Sequence, residues 1–133
     1  GVSVMEPLVW GKDSFWIVEN ALPVPESFLK IDTQTFEYSK YIVLDETIGI
    51  EYVLNPETKK LAYSDYPPLF DADSVEEFKQ SGEKVTLYVY DLVTDEKDVI
   101  DTSITKKFNP KWIDENTLEY DDPKGEGRVK KKI

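Results

Sequence analysis

Val85-Thr-Leu-Tyr-Val-Tyr-Asp-Leu-Val93 is the stretch on which the fold turns. In an extended chain successive side chains point to opposite sides, so Val85, Leu87 and Val89 share one face. Thr86, Tyr88, Tyr90 and Leu92 share the other. Neither face is strongly polar. Such a strand is expected between two covering layers, inside a sandwich or a propeller blade. A tyrosine face left in water would suit ligand stacking; packing is the reading adopted for it.

The same composition recurs on both sides of this stretch. Short runs rich in Val, Ile, Tyr, Phe and Thr predict strands near Leu8–Trp10, Phe15–Glu19, Phe28–Asp32, Phe36–Leu44, Gly49–Leu54 and Lys60–Ser64. Beyond Val85–Val93 they predict strands near Val99–Thr105, Lys111–Ile113, Thr117–Asp121 and Arg128–Lys132. Turn chemistry separates them at Asn55-Pro56-Glu57-Thr58, Asp95-Glu96-Lys97, Asp114-Glu115-Asn116 and Asp122-Pro123-Lys124-Gly125. This is the punctuation of an antiparallel meander of hairpins. One helix is expected over Ser74–Ser81. Ser74-Val-Glu-Glu77 reads as a capping box, Asp73 is an alternative N-cap and Gly82 is a stop. Val75 and Phe78 then face a sheet edge together. Tyr66-Pro67-Pro68-Leu69-Phe70 is expected to be extended, because each proline excludes its predecessor from the helical region.

Two units look alike: Glu51–Leu54, turn, Lys60–Tyr63, and Leu87–Val93, turn, Val99–Thr102. They are offset by about 37 residues, near the period of a propeller blade. The second continues into Asn109-Pro-Lys-Trp-Ile-Asp-Glu-Asn-Thr-Leu-Glu-Tyr120. Residues 84–120 thus resemble a blade of the TolB-like and dipeptidyl-peptidase-type β-propellers, in which a strand pair precedes a Pro-x-Trp hairpin. The resemblance implies hairpin geometry. It does not extend to a closed ring, which needs four or more blades.

The 133 residues include no cysteine and no histidine. Disulfides, thiolate catalysis, Cys/His zinc sites, Ser-His-Asp triads and imidazole acid–base chemistry are therefore excluded. Sixteen basic against 27 acidic residues leave a net charge of −11, and Arg128 is the lone arginine. That field repels phosphate backbones, so nucleic-acid binding is not expected. No apolar run is long enough for a membrane span. Gly1–Trp10 has no signal-peptide pattern, and the chain opens on Gly1 and not on methionine. Together with the lack of cysteine, this start leads to the expectation of a processed, extracytoplasmic domain of an exported bacterial protein.

Candidate chemistry is sparse. Asp71, Asp73, Glu76 and Glu77 are the calcium candidates, because hard cations take carboxylate oxygens. An EF-hand frame starting at Asp71 fails, since Glu76 stands where the loop needs glycine. Helix capping accounts for Asp73 and Ser74, and the helix dipole for Glu76 and Glu77. Asp121, Asp122 and Glu126 read first as a turn. Ser-x-x-Lys, the nucleophile motif of penicillin-binding enzymes, occurs at Ser27–Lys30, Ser81–Lys84 and Ser103–Lys106 without its companion motifs. Trp10, Trp16 and Trp112 form either a sugar-stacking platform or core anchors; Trp112 is read as an anchor sharing a core with Leu87, Val89 and Leu118. Arg128–Ile133 reads as an edge strand anchored by Val129, its cations opposite Glu119 and Asp121.

The expected fold is mainly β, an antiparallel sandwich or incomplete barrel with one short helix, in a single domain over 1–133. The expected function is non-catalytic binding of a protein or carbohydrate ligand, with no catalytic residue, cofactor or metal assigned. The alternatives are a propeller-like structural fragment of a larger protein and a carboxylate-based hydrolase.

Overall fold

The computed structural model describes residues 3–10, 14–21, 24–43, 51–66 and 71–133. The β-branched and aromatic runs become β1 (Ser3–Trp10), β2 (Ser14–Ala21), β3 (Val24–Asp32), β4 (Tyr38–Val43), β5 (Tyr52–Asn55) and β6 (Lys60–Ser64). After helix α1 (Ala72–Ser81) come β7 (Val85–Asp91), β8 (Lys97–Ser103), β9 (Lys111–Asp114), β10 (Thr117–Asp121) and β11 (Arg128–Lys132). The strands form three antiparallel meander sheets, ordered β1-β2-β3-β4, β5-β6-β7-β8 and β9-β10-β11. Among the described residues none closes into a barrel, and the packing is that of a layered, sandwich-like β fold.

The middle sheet is apolar on both faces and is covered on both. On one side Leu61, Tyr63, Tyr90 and Leu92 bury Trp16 of β2, whose indole Nε1 donates to the Leu92 carbonyl at 3.2 Å. On the other side Ala62, Val85, Leu87 and Val89 pack with Phe108, Leu118 and Tyr120. The alternation of Val85–Leu92 is therefore realised, with both faces dry apart from the half-buried Thr86, Tyr88 and Asp91. Tyr88 stacks on Tyr63 at 5.2 Å between ring centroids, so the tyrosine face is packed and offers no open stacking platform.

The connector between β8 and β9 is fixed by one carboxylate. Glu51 accepts from the Ser64 hydroxyl at 2.9 Å and from the amides of Phe108 and Asn109 at 3.0 and 2.8 Å. Phe108, fully buried, is thereby held between the two sheets.

Several boundaries differ from the sequence expectation, each for a local reason. The helix N-cap is Asp71 and not Ser74 or Asp73. The Asp71 carboxylate accepts the Ser74 amide at 2.7 Å while the Ser74 hydroxyl accepts the Asp71 amide at 3.1 Å, a capping box shifted by one turn. Gly82 ends the helix in the left-handed region at φ 78°, as glycine permits. The strand expected from Phe36 starts at Tyr38, because Phe36 has φ 59° and belongs to the turn. The strand expected to reach Val93 stops at Asp91, where Leu92–Thr94 turns, and its partner starts at Lys97. Residues 44, 49–50 and 67–70, on which the ends of two expected strands and the Pro67-Pro68 segment fall, lie outside the described residues. Trp112 does join Leu87, Val89 and Leu118, but half-buried and at the margin of that core.

Candidate functional site

Three hairpin turns share one construction. In Asp32–Glu37, Asn55–Lys60 and Asp91–Glu96 the first side-chain oxygen accepts the amides two and three residues on. These contacts are 2.7 and 3.0 Å in the first turn, 3.2 and 3.4 Å in the second, and 2.8 and 3.1 Å in the third. The fifth residue of each is left-handed: Phe36 at φ 59°, Lys59 at 56° and Asp95 at 62°. Asx turns stabilise this shape, and the threonine at position four supports it. Thr35 and Thr94 accept the amides of Glu37 and Glu96 at 3.3 and 3.4 Å. The equivalent Thr58 Oγ1 is buried without a partner.

All three turns lie at one end of the layers. Lys30 at the end of β3 bridges to Asp95 at 2.8 Å, and the Leu92 amide donates to the Lys59 carbonyl at 3.0 Å. Asn55 adds the β9–β10 turn to the same end. Its Nδ2 donates to the Glu115 carbonyl at 3.0 Å while its Oδ1 caps its own turn. Only the amide does both. The other two turns need no donor there and use aspartate. The resulting rim is acidic, with Asp32, Glu37, Glu57, Glu96, Asp114 and Glu115 prominent. It also exposes apolar groups: Phe36 is 81% exposed, Ile113 40% and Val93 39%.

Within the rim, Asn55, Pro56 and Glu57 face Trp112 and Ile113–Glu115 across a cleft of about 190 Å³. The Glu57 and Glu115 carboxyl groups share a hydrogen bond, and this contact together with their mutual repulsion raises the Glu57 pKa above its ordinary value. Asp114 is held below its ordinary value by the Asn116 amide and the Thr117 hydroxyl. Trp112 spends its indole N–H on the Val53 carbonyl at 3.1 Å. The cleft therefore offers acceptors and an apolar wall.

The residues expected from sequence are mostly structural. Asp71, Asp73, Glu76 and Glu77 are all exposed on or beside α1; Asp71 is the cap, and Glu76 meets Gln80 at 3.4 Å. Among the described residues no three acidic side chains gather as a metal cluster. Ser81 bonds to the Phe78 carbonyl at 2.6 Å. Ser103 accepts the Lys106 backbone amide at 2.7 Å, while the Lys106 ammonium donates to the carbonyls of Asp122 and Gly125, so that lysine is not placed to activate the serine. Ser27 lies in β3 with its side chain outside those described. Asp121 binds Asn109 and Arg128 at 2.7 and 2.8 Å, and the Asp122 side chain caps its own turn at the Lys124 amide. Of the tryptophans, Trp16 is fully buried, Trp112 half-buried and Trp10 60% exposed against Phe15.

The facing pair Glu57 and Glu115, 58 positions apart in sequence, carries no linear signature. The turn repeat does: Asp/Asn-x-x-Thr followed by a left-handed residue is legible at residues 32, 55 and 91. Comparison with protein-family models, with curated proteins and with solved structures returns no match.

Proposed function

We propose that this chain is a non-catalytic interaction domain of an exported bacterial protein, and that the acidic rim of turns is the face it presents. The observation that carries this is the rim itself. Four turns from three sheets are bonded into one end of the stack, where acidic side chains alternate with exposed Phe36, Val93 and Ile113. Rigid loops on a layered scaffold are where binding residues concentrate. A mainly acidic set of charges around apolar groups selects a partner carrying cations beside apolar side chains, a basic amphipathic segment of another protein. The absence of cysteine suits an oxidising compartment.

A propeller-like structural fragment of a larger protein is the second reading, resting on the resemblance of residues 84–120 in sequence. Three meander sheets follow one another in chain order, and the middle one is covered on both faces.

Amide-resolved NMR titration tests the reading. Lys/Arg-rich amphipathic peptides are expected to shift Phe36, Val93 and Ile113, with affinity falling as salt rises. Shifts produced instead by neutral oligosaccharides at Trp112 would transfer the site to carbohydrate. Glycoside hydrolysis abolished by Glu115→Gln would replace the reading with an enzyme.

A further inference from the structure

The opposite end of the stack holds a second cavity, of about 240 Å³, between the end of β8 and the β10–β11 turn. Its lining includes Lys84, Thr102, Ser103, Lys124 and one acid, Asp101. Ser103 is 3% exposed. Its oxygen accepts the Lys106 amide, and among the described residues no acceptor takes its hydroxyl proton. A buried donor without an acceptor forgoes a hydrogen bond that water would have supplied. Lys84 and Lys124 form no ion pair or hydrogen bond through their ammonium groups among the described residues, in a chain with 27 acidic side chains to choose from.

The walls are held in place independently of any ligand. Lys106 reaches across and donates to the carbonyls of Asp122 and Gly125 at 3.0 and 2.6 Å, tying the turn that carries Lys124 to the strand end that carries Ser103. Asp122 braces the same turn through the Lys124 amide at 2.9 Å. The one acid is occupied: Asp101 accepts from the Tyr120 hydroxyl at 3.0 Å and from the Thr102 amide at 2.8 Å. Two unpaired cations, an unused hydroxyl donor and a single carboxylate already engaged by two donors describe one kind of guest.

We propose that this cavity binds a small oxyanion, a carboxylate or phosphate group lying between Lys84 and Lys124 and accepting the Ser103 hydroxyl. The volume limits the guest to a few heavy atoms beyond the anionic group. This site is separate from the acidic rim and does not depend on the function proposed for it.

Isothermal titration of the whole chain with inorganic phosphate, and separately with succinate, decides the matter at fixed ionic strength. Saturable binding of at least one is expected, and the tighter of the two identifies the type of oxyanion. Lys84→Gln and Lys124→Gln each weaken it about tenfold or more, as loss of a charge-assisted bond should. Asp101→Asn tightens it by removing the one negative charge, and Lys79→Gln on α1 leaves it unchanged. Circular dichroism confirms that each variant is folded. Failure of both probes to saturate a folded wild-type protein overturns the proposal. So does equal weakening by Lys79→Gln, which would reduce the effect to net charge.

Discussion

Replacing Trp16 by alanine tests whether the first sheet and the middle sheet share one core. Trp16 is completely buried, its Nε1 donates to the Leu92 carbonyl and its ring meets Tyr90 edge-on at 5.7 Å between centroids. A fully buried tryptophan cut to alanine costs about 3–5 kcal/mol, the lost transfer free energy plus a cavity that the neighbours only partly fill. For a chain of this length that loss lowers the melting temperature by roughly 11–18 °C. Trp16→Phe separates the parts. It keeps most of the ring volume but leaves the Leu92 carbonyl unpaired, so about 1–2 kcal/mol of the loss remains. Urea unfolding followed by far-ultraviolet circular dichroism should show one transition at a lower midpoint with an unchanged slope. A wild-type midpoint for Trp16→Ala would refute the shared core. Two separate transitions would show that β1–β4 open independently of the rest.

Asn55→Asp should lower the unfolding midpoint more than Asp91→Asn. At residue 55 the change removes the donor to the Glu115 carbonyl and buries a charge, whereas Asp91 can exchange its oxygen for an amide's without losing the turn; chemical denaturation compares the two. Trp112→Ala should cost about 2–3 kcal/mol in the same assay, less than a buried tryptophan because one side of the ring faces the cleft. Asp71→Ala should expose α1 amides to hydrogen exchange while Asp73→Ala does not, since only Asp71 caps. Glu57 has a raised pKa, so its contribution is present below its ordinary value of 4.5 and is lost as pH rises through the higher folded value; Glu57→Gln should abolish that loss in melting temperatures scanned from acid to neutral pH. Tyr120 is pushed up to about 12 by burial and by its bond to Asp101, so its stabilising share holds below 10 and fades between 10 and about 12, readable by ultraviolet titration of its phenolate.

How much of this was legible depends on whether the cause was local. Strand identity came from composition and alternation, both local, and β6, β10 and β11 match their expected limits residue for residue. Phe36 and Asp91–Thr94 misled because strand propensity and turn chemistry competed over the same residues. There the Asx oxygen at Asp32 or Asp91 won by satisfying two amides at once. The sequence reading began the box at Ser74 and looked forward to Glu77, whereas Ser74 closes a box that begins at Asp71, and only geometry says which end of a box Ser74 occupies. The Glu57–Glu115 contact and the oxyanion cavity were invisible for a different reason. Each joins segments from different strand pairs, and no pattern along the chain records where two sheets bring their turns.

The alternation of each strand also states which layer it occupies. β7 is apolar at odd and even positions and lies in the middle sheet, covered from both sides. β10 alternates, with Leu118 and Tyr120 buried and Thr117, Glu119 and Asp121 half-buried, so its sheet has one dry face and one wet. β11 completes the pattern. Val129 and Ile133 pack inward, and Lys131, on the same face, reaches out to the Ile100 carbonyl at 3.4 Å. On the other face Arg128 pairs with Glu119 at 2.9 Å and Asp121 at 2.8 Å. Pairs this exposed are worth only about 0–1 kcal/mol each. Their consequence is exclusion: a face of paired charges and free lysines gives a further sheet nothing to bury, and lysines along β11 discourage another strand from adding to its edge. The outer face of β9–β11 is therefore made polar by residues placed outside the core.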